Sequence, residues 1–285
     1  MRGSSRSSAG RLGEEFFTTG SSFSGFLAAH RPELLPTTPP LPDGMRVPPD
    51  RFPHGTTVLA LTYADGVLIA GDRRATMGHV IAQRDLEKVH PADDHTAIAF
   101  AGTVGLAADM VKLYQVELTH FEKVEGTPMT LDAKARRLAG MLRQNLGQAM
   151  QGLAVVPLLA GYDVHAPEDR RGRIFGFDVA GGVYEKTDFY AEGSGSPYAR
   201  GALKKLYRPA LARREAVLVA LHALFDAADD DSATGGPDLG RRIFPVVSLL
   251  TADGFERVAE DETAGLSQEM VDQRGIRPDG PPATE

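Results

Sequence analysis

The chain has 285 residues, is 42% hydrophobic and carries a formal net charge of -7, with an isoelectric point near 5.7. That acidic balance argues against a general nucleic-acid binder, which carries a basic stripe. It contains no cysteine, which excludes disulfides, thiolate chemistry and cysteine-based zinc sites and is compatible with a reducing cytoplasm.

Residues 1–55 are rich in Ser, Gly and Pro, punctuated by Pro39-Pro40 and Pro48-Pro49. Such a stretch has few ways to bury surface and is expected to be largely flexible. Arg2, Arg6 and Arg11 stand among serines, but no apolar stretch follows them as a secretory signal requires; a transit-peptide reading stays open. No run approaches the roughly 18 consecutive apolar residues of a membrane span. Within Glu14–Leu27, Phe16, Phe17, Phe23, Phe26 and Leu27 are costly to leave in water and point to docking on a partner surface. The plainer reading is a disordered leader with a few sticky aromatics.

The pattern becomes that of a folded domain at Thr56. Thr57–Tyr63 and Val67–Ala70 read as strands joined by the turn Ala64-Asp65-Gly66, a hairpin at the domain start. Short strands follow at Val80–Ala82 and Thr96–Ala101. Leu106, Met110, Leu113, Leu118 and Phe121 recur at helical spacing over Thr103–Val124, with Thr103 placed to cap the helix. Ala135, Leu138, Leu142 and Leu146 do the same over Leu131–Met150, where Thr130 with Ala133 lacks the acidic partner of a full capping box. Leu158–Tyr162, Arg173–Asp178, Val183–Glu185 and Phe189–Ala191 are strand candidates. Ser196–Tyr207 and Pro209–Asp229 read as helices, and Pro245–Thr251 and Phe255–Val258 close the series as strands. The stretch from Gln273 to Glu285 is Pro/Gly-rich and is expected to fray. Strands, two long helices, strands, two helices and strands fit two antiparallel sheets between helix layers, in one domain of two hundred-odd residues.

Several residue sets in this order carry chemistry. Gly55-Thr56-Thr57 stands at the border of leader and fold. Alone it is usually just a strand entrance. A chain cut before Thr56, however, would put a hydroxyl and a free α-amine of pKa about 7.7–8.0 on one residue, nucleophile and base together. Gly55, without a side chain, allows close approach at the bond to be cut. Asp72 ends the second strand and Lys88 follows a short acidic segment; singly they are a turn residue and a solvated lysine. Together, Lys88 would lower the proton affinity of the Thr56 hydroxyl and Asp72 would keep Lys88 charged and oriented. Gly102, at a strand-to-helix turn, offers its backbone N–H as an oxyanion donor. Ser194 in Gly193-Ser194-Gly195-Ser196 can cap the next helix or bond the amine. Asp231 and Thr234 lie in an acidic turn after another helix.

As a set, Thr56-Thr57, Gly71-Asp72-Arg73-Arg74-Ala75-Thr76, Lys88-Val89, Phe100-Ala101-Gly102, Gly193-Ser194-Gly195-Ser196 and Asp231…Thr234-Gly235 resemble a proteasome β subunit in order and spacing, over nearly all of 56–236. The leader and Asp231–Gly236 look most like the actinobacterial 20S form. The resemblance implies an α+β fold, the four-layer αββα sandwich of N-terminal-nucleophile hydrolases. It implies a propeptide over 1–55, removed by autocatalytic cleavage between Gly55 and Thr56, and a catalytic domain over 56–285. The implied activity is that of a threonine-type endopeptidase acting on unfolded proteins inside a barrel-shaped chamber in the cytoplasm. Thr56 is the implied nucleophile, Asp72 and Lys88 its charged support, Gly102 the oxyanion donor, and Ser194, Asp231 and Thr234 the network around the amine. Ala75, Thr76, Leu86, Phe100 and Val104 are implied to bind substrate. Implied partners are other β subunits in a seven-membered ring, α-subunit rings and an ATPase ring; no metal, cofactor, nucleic acid or membrane is implied. One departure is Thr234, where the family usually has Ser. The simpler two-ring threonine protease of bacteria shares the Thr-Thr start, but the long leader and the Asp231…Thr234-Gly235 segment argue against it. A non-catalytic α-type subunit lacks the Gly-Thr junction and the Asp/Lys support.

Overall fold

The computed structural model describes Phe23, Leu27, Ala29 and residues 55–281. Its strands are β1 (Thr57–Tyr63), β2 (Gly66–Gly71), β3 (Ala75–Met77), β4 (Val80–Gln83), β5 (Val89–Asp93), β6 (Thr96–Gly102), β7 (Val155–Tyr162), β8 (Gly172–Phe177), β9 (Val183–Lys186), β10 (Phe189–Gly193), β11 (Val246–Thr251) and β12 (Gly254–Arg257). Its helices are α1 (Val104–Glu125), α2 (Leu131–Gln144), α3 (Leu146–Ala149), α4 (Ser196–Leu206), α5 (Arg213–Asp230) and α6 (Glu260–Ile276).

Two five-stranded antiparallel sheets, ordered β10-β1-β2-β11-β12 and β5-β6-β7-β8-β9, lie between helix layers; β3 and β4 form a separate hairpin. The two-residue alternation of a strand explains the layering. In β1, Leu59, Leu61 and Tyr63 face a core shared with α4, α5 and α6, while Val58 and Ala60 face Ala97, Ala99 and Leu158 of the other sheet. Because both faces are covered, β1 reads as a nearly unbroken apolar run. The outer face of the second sheet packs Ile98, Leu159 and Phe175 against Tyr114 of α1 and Leu138 of α2. Burying each such side chain contributes roughly 1.5–3 kcal/mol. Truncating the fully buried Leu59 to Ala is expected to cost about 2–5 kcal/mol through the cavity left behind. This is the expected four-layer α+β sandwich.

Register places the site. Thr57 pairs with Gly193, Val58 with Gly71, and Gly71 with Val246, so the start of β1, the end of β2, the end of β10 and the start of β11 meet at one end of the first sheet.

Several expectations shift. Thr103 is the N-cap residue of α1 but makes no side-chain capping bond, whereas Thr130 accepts from the Ala133 N–H at 3.3 Å despite lacking the acidic partner. The second helix ends at Asn145, whose side-chain amide turns back onto the Met141 carbonyl, so only a short α3 follows. The helix expected from Pro209 begins at Arg213, because Ala210 sits at φ 57°. The expected fraying from Gln273 is corrected within the described residues. The helix α6 runs to Ile276, and Arg274, nearly buried, binds Asp226 at 2.5 Å and the Pro278 carbonyl at 3.0 Å. Of the apolar residues of that segment, Phe23 and Leu27 lie against the chain itself. The Phe23 N–H donates to Glu117 Oε2 of α1 at 3.2 Å, its ring lies against His120, and Leu27 is buried. Phe16, Phe17 and Phe26 lie outside the described residues.

Candidate active site

Gly55 and Thr56 enter β1 through a turn that only glycine tolerates. Gly55 has φ 93°, and a Cβ there would lie 2.5 Å from the Ala233 Cβ and 2.7 Å from Thr76 Oγ1. Thr56 is buried, and its hydroxyl donates to the Gly55 carbonyl at 2.6 Å. The same carbonyl accepts from Lys88 Nζ at 3.2 Å.

Asp72 follows β2 and is fully buried. One of its oxygens accepts from Lys88 Nζ at 2.6 Å and the Thr57 N–H at 2.8 Å; the other accepts from the Arg74 and Gly235 N–H groups at 2.8 and 2.9 Å. Four donors on one carboxylate hold it fixed. Burial lowers the proton affinity of Lys88, while the Asp72 charge beside it opposes that fall. Its three ammonium donors nonetheless all have acceptors, namely Asp72, the Arg74 carbonyl at 2.6 Å and the Gly55 carbonyl. The third of these contacts aims Lys88 Nζ at the carbonyl of the bond before Thr56.

A second carboxylate lies on the other side of Thr56. Asp231, just past α5, accepts from Ser194 Oγ and Thr234 Oγ1, both at 2.6 Å and both on Oδ2, and from the Ala233 N–H at 3.1 Å. Ser194 Oγ also approaches the Thr56 carbonyl at 3.4 Å. The extra methyl of Thr234 does not cost the hydroxyl its place, since Thr234 Oγ1 keeps both Asp231 and Thr57 Oγ1, the latter at 2.7 Å. Gly195, not Ser194, is the N-cap residue of α4.

Gly102 ends β6 with φ 112°. Phe100, two residues before it, donates its N–H to the Lys88 carbonyl at 3.3 Å, and Ala101 borders Gly193, so the end of β6 stands against the site. The proposed substrate residues divide. Ala75 is buried in β3, and Thr76 borders Gly55. Leu86 and Val104 are half-buried. Phe100 is committed to the core beneath α1 and α2.

Sequence reasoning gave no role to Thr57, Gly235 or Ala233, which touch the site through backbone groups or a neighbouring hydroxyl. Their signal was only their adjacency to residues already singled out.

A family profile described as "Proteasome subunit" matches residues 52–238. The chain is 77% identical over 279 residues to proteasome subunit beta 1 of Streptomyces avermitilis, covering 98% of each. It is 55% identical to proteasome subunit beta 2 of Thermomonospora curvata, over 95% of this chain and 96% of that one. It is 54% identical to the proteasome subunit beta of Acidothermus cellulolyticus, over 96% and 94%. With the sandwich, the Thr56–Lys88–Asp72 geometry and these relatives together, the chain belongs to the proteasome β-subunit family.

Proposed function

We propose that the chain is made as a precursor and activates itself by cutting between Gly55 and Thr56, leaving residues 56–285 as the catalytic subunit of a proteasome core. As a member of the β-subunit family it is a threonine protease of the proteasome and assembles with other proteasome subunits. The observation that carries the self-cleavage reading is the Gly55 carbonyl, held by both the Thr56 hydroxyl and the Lys88 ammonium.

In the first step Thr56 Oγ attacks the Gly55 carbonyl carbon. Lys88 donates to the developing oxyanion, an interaction worth about 10²–10³ in rate when built into a site. The Gly55–Thr56 C–N bond breaks, the nitrogen takes up a proton, and Gly55 is left as an ester on Thr56 Oγ. Water hydrolyses that ester to a Gly55 carboxylate and a free Thr56 amine. The amine then serves as base for the same hydroxyl against a substrate peptide. Lys88 and Asp72 supply fixed charge, Gly102 donates to the oxyanion, and Ser194, Asp231 and Thr234 orient the amine. The subunit works in a seven-membered ring, stacked with α rings and served by an ATPase ring that feeds unfolded proteins into the chamber, in the cytoplasm.

The test is Thr56→Ala, co-expressed with the α subunit and followed by intact mass and peptidase assay. The expected product is an assembled, full-length, inactive chain. Leader loss in that variant would overturn self-cleavage, and retained activity would remove Thr56 as nucleophile.

A further inference from the structure

Thr57 touches one carboxylate of the site directly and reaches the other through Thr234. Its backbone N–H donates to Asp72 at 2.8 Å, and its hydroxyl contacts Thr234 Oγ1 at 2.7 Å, with both threonines fully buried. The direction of that second bond follows from counting protons. A threonine hydroxyl has one proton to give. Thr234 Oγ1 gives its proton to the Asp231 carboxylate at 2.6 Å. Thr57 must therefore be the donor to Thr234. Ser194 likewise gives its proton to the same Asp231 oxygen and meets the Thr56 carbonyl only at the longer 3.4 Å. The result is an ordered chain, Thr57 O–H to Thr234 O–H to Asp231, in which each bond polarises the next. Room for it exists because residue 195 is glycine; a Cβ there would collide with Thr57 Oγ1 and Thr234 Oγ1.

We propose that Thr57 is a positioning residue for the reaction, its hydroxyl fixing the Thr234–Asp231–Ser194 network against the nucleophile while its N–H fixes Asp72. This rests on the proposed role of Thr56. The two ends of Thr57 divide the work. The N–H is a backbone group that any side chain retains. The hydroxyl is the only part that substitution removes, so its contribution can be read in isolation. Val is nearly isosteric with Thr and suits the strand position, whereas Ser keeps the hydroxyl and loses the methyl.

The experiment compares Thr57→Val, Thr57→Ser, Thr234→Val and the Thr57→Val/Thr234→Val pair, each assembled with the α subunit, with Thr56→Ala as the inactive reference. Peptide hydrolysis by Thr57→Val should fall about tenfold in kcat with KM near the wild-type value. Thr57→Ser should recover most of that loss. The double variant should be no slower than Thr234→Val alone, because Thr57 acts through Thr234. Wild-type kcat in Thr57→Val, or losses that multiply in the pair, would overturn the proposal while leaving Thr56 untouched. Activity surviving in Thr56→Ala would instead defeat the reading beneath it. If Thr57→Val assembles but keeps its leader, the loss of self-cleavage is the same effect and supports the proposal. If it does not assemble, Thr57→Ala replaces it and is judged by the same three comparisons.

Discussion

Replacing Gly55 by Ala tests the geometry of self-cleavage with one methyl group. Gly55 holds φ 93°, a backbone state that costs an L-residue roughly 1–2 kcal/mol. The new Cβ would lie 2.5 Å from the Ala233 Cβ, 2.7 Å from Thr76 Oγ1 and 3.0 Å from the Ala233 carbonyl. Two of those partners belong to the turn held by Asp231 and Asp72, which cannot retreat without stretching the Ala233, Thr234 and Gly235 bonds. Overpacking of this kind costs about 1–3 kcal/mol. Together the two terms give about 2–5 kcal/mol, which slows formation of the reactive geometry by roughly 30- to 3,000-fold at about 1.4 kcal/mol per decade. The assay is a time course of intact mass after mixing purified precursor with the α subunit. Ala233→Gly removes the nearest obstacle and should restore part of the rate to Gly55→Ala, though not the φ component. Processing of Gly55→Ala at the wild-type rate, or no recovery on adding Ala233→Gly, would refute the reasoning.

Lys88→Ala and Asp72→Asn should each assemble yet lose about 10²–10³ in turnover, since their work is electrostatic; near-normal kcat in Lys88→Ala would remove it from the mechanism. In a panel of fluorogenic peptides differing only before the scissile bond, Leu, Phe and Tyr should be cut faster than Lys or Asp. Ala75 is small and uncharged, Phe100 is held in the core, and burying a large apolar group gains roughly 1.5–3 kcal/mol. Burial first, and the Arg274 charge second, depress the pKa of His222 to about 4 from its usual 6.5. The unfolded chain thus binds that proton more readily, and stability should decline as pH falls from about 6.5 toward 4 while being unaffected above. Thermal midpoints of wild type and His222→Gln across that range should converge at neutral pH and separate at acid pH; parallel curves would sink the assignment.

The parts legible in sequence were those where one residue type at one place has few readings. The β1–β2 hairpin announced itself through Ala64-Asp65-Gly66 between apolar runs, and α1 through its periodic apolar face. Thr56, Asp72 and Lys88 stood out as a set although the structure joins them across a fold. Missed were β3 and β5, whose Arg, His and Asp neighbours break the apolar pattern, and α6, whose inner face uses small or polar residues such as Thr263 and Ser267 beside Leu266 and Met270. The role proposed for Thr57 was invisible because it depends on which hydroxyl donates, and that follows only once the contacts of Thr234 with Thr57 and Asp231 are placed.

The seat of Phe23 on α1 gives the leader a second attachment besides the peptide bond at Gly55. While the chain is uncut the aromatic is presented to Glu117 and His120 at the effective concentration of a tethered ligand, which falls with linker length. Cutting at Gly55 changes none of those contacts, but it replaces that local concentration by the bulk concentration of a released peptide. Any affinity weaker than the bulk value then becomes too small to retain it. On the proposed cleavage, the bond whose breaking would uncover Thr56 would also set whether the leader stays on the molecule, so its departure would need no separate trigger, only dilution.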